Sequence, residues 1–346
     1  MEYRTLGRTG VQVSTHCLGA MMFGPWGNDD EDDCVRIVNH ALDEGINFID
    51  TADVYSQGRS EQIVGKAIAS RRDEVVLATK VHGQMGEGRN RSGNSRRWIV
   101  QEVEASLRRL GTDHIDLYQI HRPDPATDIE ETLGALTDLV HEGKVAYLGC
   151  STLPAWQIVE AQWASQRRGL ERFVCEQPPY SIFVRHIEAD VLPVVQQYGM
   201  GAIVWSPLAG GWLAGRYRRG QEAPGDSRAK RLGALSPAIE ARFDPTLPEN
   251  QAKLDIVDAL DELAAKADAN LAQLSIAFTL AHPGVTSAII GPRTMEQLDD
   301  LLAGADLRLE DATLDAIDEL VAPGRTLHDA DRGWESPSLA AAARRR

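Results

Sequence analysis

The sequence predicts an α/β fold: a single (β/α)8 barrel of TIM type, spanning residues 1–346 as one domain. Two observations carry that expectation. Eight short runs alternate with longer amphipathic segments, and each run is apolar almost throughout, as strands covered on both faces must be. The competing topology, an open doubly wound sheet, normally opens its nucleotide-binding form on a Gly-x-Gly-x-x-Gly turn after the first strand. Here that strand leads into Leu18-Gly19-Ala20-Met21-Met22-Phe23-Gly24 instead.

Taken in order, the chain opens as a hairpin within residues 1–15: EYRTL, a Gly-Arg-Thr-Gly turn, then VQVST. The strand candidates are HCLGAM, INFID, EVVLATK, HIDLYQI, VAYLGC, RFVCEQ, GAIVWS and SAII. Residues 31–44 put Cys34, Ile37, Val38, Ala41 and Leu42 on one helical face, with acids in the first turn, where the helix dipole favours them. Gly45 ends that helix. Residues 96–110 repeat the pattern with Ile99, Val103, Leu107 and Leu110 before Gly111, and residues 128–142 do so before Gly143. Further helices fit 60–70, 155–168, 187–198, 250–267, 271–281 and 294–303. Residues 206–249, rich in Gly, Pro and Arg, read as a long loop after the seventh strand. Residues 322–346 begin on a helix-ending Ala-Pro-Gly and finish in AAAARRR. The chain is thus expected to end in an extra C-terminal helix or tail, the tail mobile, with Trp334 folding over the barrel mouth.

A net charge of -15 and an isoelectric point near 5.1 weigh against a nucleic-acid partner, which calls for a basic face. No apolar run has the length of a membrane span, and the opening MEYRTLGRTG lacks the apolar core of a signal peptide. Cys17, Cys34, Cys150 and Cys175 are scattered without paired spacing, which fits reduced structural thiols in a cytoplasmic protein. No feature sets an oligomeric state.

In such a barrel, chemistry belongs at the C-terminal ends of the strands. Asp50 ends INFID, Tyr55 follows five residues later, Lys80 ends VVLATK and His121 follows LYQI. Three consecutive strands bring these four to one rim. A tyrosine can protonate an alkoxide if a neighbouring positive charge lowers its pKa from about 10. Lys80 can supply that charge, Asp50 can hold Lys80, and His121 can hydrogen-bond the reacting oxygen or Tyr55. No metal is required. Each residue alone has a plainer reading: a buried ion pair at the rim, a packed aromatic, a satisfied histidine. The four together are far more specific.

The chain resembles the aldo-keto reductase superfamily from about residue 3 to about residue 320. The likeness is carried by GINFIDTADVY, SEQIVGKAI, VVLATK, SLRRLGTDHIDLYQIHRPD, EGKVAYLGCST, EQPPYS, WSPLAGGWLAGRY and IIGPRTMEQLDDLL. The family's Asp, Tyr, Lys and His fall on Asp50, Tyr55, Lys80 and His121. The resemblance implies reduction of an aldehyde or ketone with NADPH, or with NADH. Hydride passes to the carbonyl carbon, and Tyr55 protonates the oxygen.

The same resemblance assigns cofactor contacts. Gly19, Ala20 and Met21 match backbone near the nicotinamide. Ser151, with Thr152 in place of the family's usual Asn, and Gln177 match the carboxamide contacts. Trp205 matches the aromatic that stacks on the nicotinamide ring. Ser206, Pro207, Leu208, Gly210, Gly215 and Arg216 match the loop around the pyrophosphate. Gly291, Pro292, Arg293, Thr294, Gln297 and Asp300, the last in place of an Asn, match the adenosine end. Arg293 is suited to a ribose 2′-phosphate, which favours NADPH.

Met22, Phe23, Trp26, His82, Met85, Arg122 and Phe183 are expected on rim loops around a small-molecule carbonyl substrate. Other readings of the same sequence are a cofactor-sensing channel subunit of this fold, a metal-dependent barrel enzyme, and oxidation of an alcohol or sugar. The strand ends offer few metal ligands beyond Asp50 and His121.

Overall fold

The computed structural model describes residues 1–222, 224–225, 227, 237–244 and 246–345. The antiparallel pair β1 (Tyr3–Thr5) and β2 (Gln12–Ser14) precedes a closed barrel of eight parallel strands. These are β3 (His16–Gly19), β4 (Phe48–Asp50), β5 (Val76–Val81), β6 (Ile115–Ile120), β7 (Val145–Ser151), β8 (Phe173–Gln177), β9 (Gly201–Val204) and β10 (Ser287–Ile290). They pair in sequence order, and β10 closes on β3.

The helices over Glu31–Asp43, Arg59–Ile68, Arg96–Leu110, Ile129–His141, Ala155–Arg168, Val191–Gln197, Leu271–Ala281 and Met295–Ala303 cover the strands, each turning an apolar face inward. Their ends follow local chemistry. Asp30 and Asp128 accept the backbone N–H of Asp33 and Glu130 at 2.9 and 2.8 Å, caps worth about 1 kcal/mol each. Gly111 ends its helix at φ 66°, a left-handed conformation that a side chain resists.

Strand alternation stacks the interior in layers. Cys17, Phe48, Ala78, Leu117, Cys175 and Ile203 form an apolar layer that Leu6 and Val13 of the N-terminal hairpin segment join. Two residues further along the same strands stand Gly19, Asp50, Lys80, Gln119 and Gln177. Because side chains on one face recur with period two, a polar layer sits directly on the apolar one. All four cysteines are buried and unpaired.

The excursion expected over 206–249 lies in part outside the described residues, at 223, 226, 228–236 and 245. Its described part holds a 3-10 turn over Ala209–Ala214 and a helix over Pro237–Ala241, and Pro248–Lys266 is a long helix. A C-terminal helix beyond the barrel spans Asp311–Leu320, at a position the sequence pattern does not mark; only Ile317 on it is buried, so its apolar stripe is thin.

Within the C-terminal segment, residue 346 lies outside the described residues, and residues 325–333 dock across the barrel mouth. Arg185 and Leu327 donate backbone hydrogen bonds to Arg325 and Phe183 at 2.9 and 3.0 Å. Asp331 is buried and takes Nζ of Lys253 at 2.6 Å and Nε of Arg242 at 2.7 Å. Gly333, at φ 81°, passes so close to Trp205 that a Cβ there would lie 2.5 Å from the indole. Trp334 lines a second, smaller cavity beside Trp156.

Candidate active site

The C-terminal rim of the barrel opens into a cavity of about 950 Å³, near the upper end of the ~300–1,000 Å³ typical of small-molecule sites. Asp50, Tyr55 and His121 line it, and Lys80 lies fully buried behind them.

Lys80 Nζ donates to Asp50 Oδ1 at 2.5 Å, to the Thr51 carbonyl at 2.9 Å and to the Tyr55 hydroxyl at 3.3 Å. Burial alone would push the Lys80 ammonium down, but Asp50 and Tyr55 outweigh it and hold it above its ordinary value. The other carboxylate oxygen of Asp50 accepts from Gln119 at 3.1 Å and Gln177 at 2.8 Å. The carboxylate is thus bound on both sides and cannot swing away from Lys80.

Tyr55 begins a 3-10 turn over Tyr55–Gly58. Its ring meets His121 edge-on at 5.6 Å between centroids and Trp26 at 6.2 Å. Burial pushes His121 well below the usual histidine value, and the charges of Arg122, Lys80 and His82 push the same way. At working pH its imidazole is neutral. In that form the ring carries one N–H that can donate a hydrogen bond.

Gly19, Met21, Gln177 and Trp205 line the same cavity. So do Ser206, Pro207, Leu208, Gly210, Gly215 and Arg216 on one side, and Gly291, Pro292, Arg293, Gln297 and Asp300 on the other. Ser206 (φ 57°) and Ala209 (φ 48°) adopt left-handed backbone without being glycine, at a cost of about 1–2 kcal/mol each. Such strain tends to gather where a ligand is clamped.

Several expected contacts differ. Ala20, Ser151, Thr152 and Thr294 do not line the cavity. Ala20 is buried against Ser60, and Ser151 Oγ donates to the Gln177 carbonyl at 2.9 Å. Thr294 caps the helix over Met295–Ala303. Both amide hydrogens of Gln177 are taken, by Asp50 and by Gln119 Oε1 at 3.1 Å, which leaves its Oε1 for any ligand. Asp300 Oδ1 already accepts from Asn270 at 2.7 Å.

Of the expected substrate loops, Met22, Trp26 and Arg122 line the cavity. Phe23 and Phe183 are fully buried and belong to the core instead. His82 and Met85 are not on the wall; His82 Nδ1 lies 3.0 Å from Asn94 Oδ1, and Met85 packs against the core.

Gln119 was missed, although its place two residues before His121 puts both on one strand face. Arg242, Asp261, Asn270, Ala330 and Gly333 also line the cavity, brought there by long-range packing. Among the described residues, no group of three or more His, Cys, Asp or Glu is placed to hold a metal ion, and no helix is long and apolar enough to cross a membrane.

A closed parallel barrel with a tyrosine, a lysine–aspartate pair and a histidine at its C-terminal mouth defines a class, that of the barrel oxidoreductases. The chain belongs to the aldo/keto reductase family, whose model matches residues 17–322. It is 37% identical over 331 residues to an uncharacterized oxidoreductase of Bacillus subtilis, covering 92% of this chain and 96% of that protein. It is 37% identical over 328 residues to a probable voltage-gated potassium channel subunit beta of Arabidopsis thaliana, covering 93% and 97%. Versiconal hemiacetal acetate reductase of Aspergillus parasiticus is 34% identical over 356 residues, covering 96% and 100%.

Proposed function

We propose that this oxidoreductase reduces an aldehyde or ketone with NADPH, with Tyr55 as general acid. One observation carries the reading: the Tyr55 hydroxyl stands in the cavity wall, hydrogen-bonded to a buried ammonium and packed against a neutral histidine. The cavity suits a nicotinamide dinucleotide. It runs from Tyr55 past Trp205 and the strained Ser206–Arg216 loop to Arg293 and Gln297. Trp205 would face the nicotinamide, Arg216 the pyrophosphate, and Arg293 the 2′-phosphate.

When bound, the cofactor supplies the hydride that the carbonyl carbon takes. The chain's own residues handle the oxygen. Tyr55 gives up its proton to it, Lys80 stabilises the phenolate left behind, Asp50 fixes Lys80, and His121 donates a hydrogen bond from its neutral ring. The protein acts as a single cytoplasmic domain without a metal.

The experiment is reduction of a panel of carbonyls, followed by NADPH and NADH absorbance with a chelator present. Turnover that survives the chelator and is lost in Tyr55→Phe supports the reading. A chain that binds NADPH without turning over any carbonyl is instead a cofactor-sensing subunit, the reading favoured by its potassium channel beta relatives. Turnover only with alcohols and NADP+ reverses the direction.

A further inference from the structure

Arg122 follows His121 at the end of β6 and lines the cavity beside Tyr55, with Trp205 5.8 Å from its guanidinium. Its Nη1 donates to the His121 carbonyl at 2.6 Å and to Thr152 Oγ1 at 3.3 Å. An arginine has five N–H donors in a planar fork. The two on Nη1 are used; among the described residues, the one on Nε and the two on Nη2 make no hydrogen bond. Nε and Nη2 form the edge that receives a carboxylate in two parallel bonds.

Other interior arginines are answered by acids. Arg109 holds Glu61 and Glu102, Arg185 holds Glu188 and Asp318, and Arg242 holds Asp331. Among the described residues, no carboxylate pairs with Arg122. Burial accordingly pushes its guanidinium below the usual arginine value, whereas Arg71, Arg109, Arg185 and Arg218 are raised. Tyr55 and Glu176 act on Arg122 in the opposite sense without pairing with it, and burial lifts the Glu176 carboxyl to about 7, so it carries only part of a charge at neutral pH. A cation with its bidentate edge open, beside the reacting tyrosine, lacks an anion that the protein does not supply.

We propose that Arg122 anchors a carboxylate on the substrate, so that the preferred substrates are carbonyl compounds bearing an acid group, oxo acids among them. The proposal rests on the carbonyl-reductase reading above. The phosphate-binding end of the cavity lies with Arg216 and Arg293, whereas Arg122 stands with Tyr55 and His121. The anion therefore belongs to the carbonyl compound rather than to the cofactor.

The test compares 4-formylbenzoate with its methyl ester, two aldehydes that differ in one charge. The parent should favour the acid in kcat/KM by roughly tenfold or more, and Arg122→Gln should cut that acid-to-ester ratio by roughly ten- to hundredfold, the worth of a hydrogen bond to a charged group. Arg122→Lys should recover part of it, since a point charge lacks the fork. An ester as good as the acid in the parent, or an unchanged ratio in Arg122→Gln, overturns the proposal. So does a matching rise in the NADPH dissociation constant, which would place the group on the cofactor. Benzoate binding, read by tryptophan fluorescence, separates the two readings. Saturable binding lost in Arg122→Gln, with neither aldehyde reduced, leaves the carboxylate site standing and removes the reductase. No benzoate binding together with ester turnover does the reverse.

Discussion

Lys80 donates a 3.3 Å hydrogen bond to the hydroxyl of Tyr55, and its ammonium lies 4.9 Å from the centroid of the same ring. The charge therefore acts on the phenol chiefly at its oxygen. Asp50 fixes the lysine from behind at 2.5 Å. Lys80 is fully buried, and a fixed cation shielded from solvent stabilises a neighbouring negative charge far more than it could in water.

Tyr55→Phe removes one oxygen and keeps the ring. The kcat for aldehyde reduction should fall at least about a hundredfold, the low end for a positioned general acid. The NADPH dissociation constant should stay within about threefold, less than 1 kcal/mol. Steady-state kinetics and a fluorescence titration check both; parental kcat sinks the assignment.

Lys80→Met should lower kcat at every pH and destabilise the fold by up to about 3–5 kcal/mol, because Asp50 is left buried without its counter-ion. Gln119 and Gln177 still donate to Asp50, which places the loss toward the lower figure. Adding Asp50→Asn should restore much of the stability in urea unfolding but none of the activity. Turnover near the parental level in either variant would mean that the lysine only supports structure.

Arg293→Ala should raise the KM for NADPH by one to two orders of magnitude, about 1.5–3 kcal/mol for charge-assisted contacts. NADH kinetics should barely move. Equal losses with both cofactors would show that Arg293 does not read the 2′-phosphate.

Glu176 predicts a pH effect of defined sign. Burial lifts its folded-state value from 4.5 to about 7, so the fold binds its proton more tightly than the unfolded chain does. The resulting stability is complete below about pH 4.5 and is lost as pH rises through about 7, up to about 3 kcal/mol in all. Glu176→Gln mimics the protonated form. The variant should gain on the parent as pH rises from 4.5 to 8 in thermal unfolding; a constant difference across that range refutes the shift.

Much of the fold could be read in the chain, because its signals are local. Asp30, Asp128 and Gly111 mark helix ends by bonds made within a few residues, and the short runs read as strands because they are apolar almost throughout. Asp50, Tyr55, Lys80 and His121 could be brought to one rim because strand ends converge by topology alone. What escaped depends on distant partners. Asp331 is a surface-like aspartate in sequence, and only the approach of Arg242 and Lys253 makes it a buried tether. Phe23 and Phe183 sit on segments next to the rim, and their inward turn is set by neighbours that no local pattern specifies. The helix over Asp311–Leu320 offers one buried residue, too little for a periodic signal.

The stacking of a polar layer on an apolar one makes activity a reporter of strand register. Lys80 pairs with Gln119, Asp50 with Gly19 and Ala78, and Ser151 with Gln177. A slip of one residue in β5 would send Lys80 outward and bring Thr79 into its place, since each step along a strand reverses the face. Single-residue insertions or deletions inside β4, β5 or β6 should therefore be silent in no background. The same change at the exposed Gly88 or Arg89, on the loop after β5, alters only local chain length. Tolerance to length change along this chain should accordingly map the barrel, strand by strand, without a structure in hand.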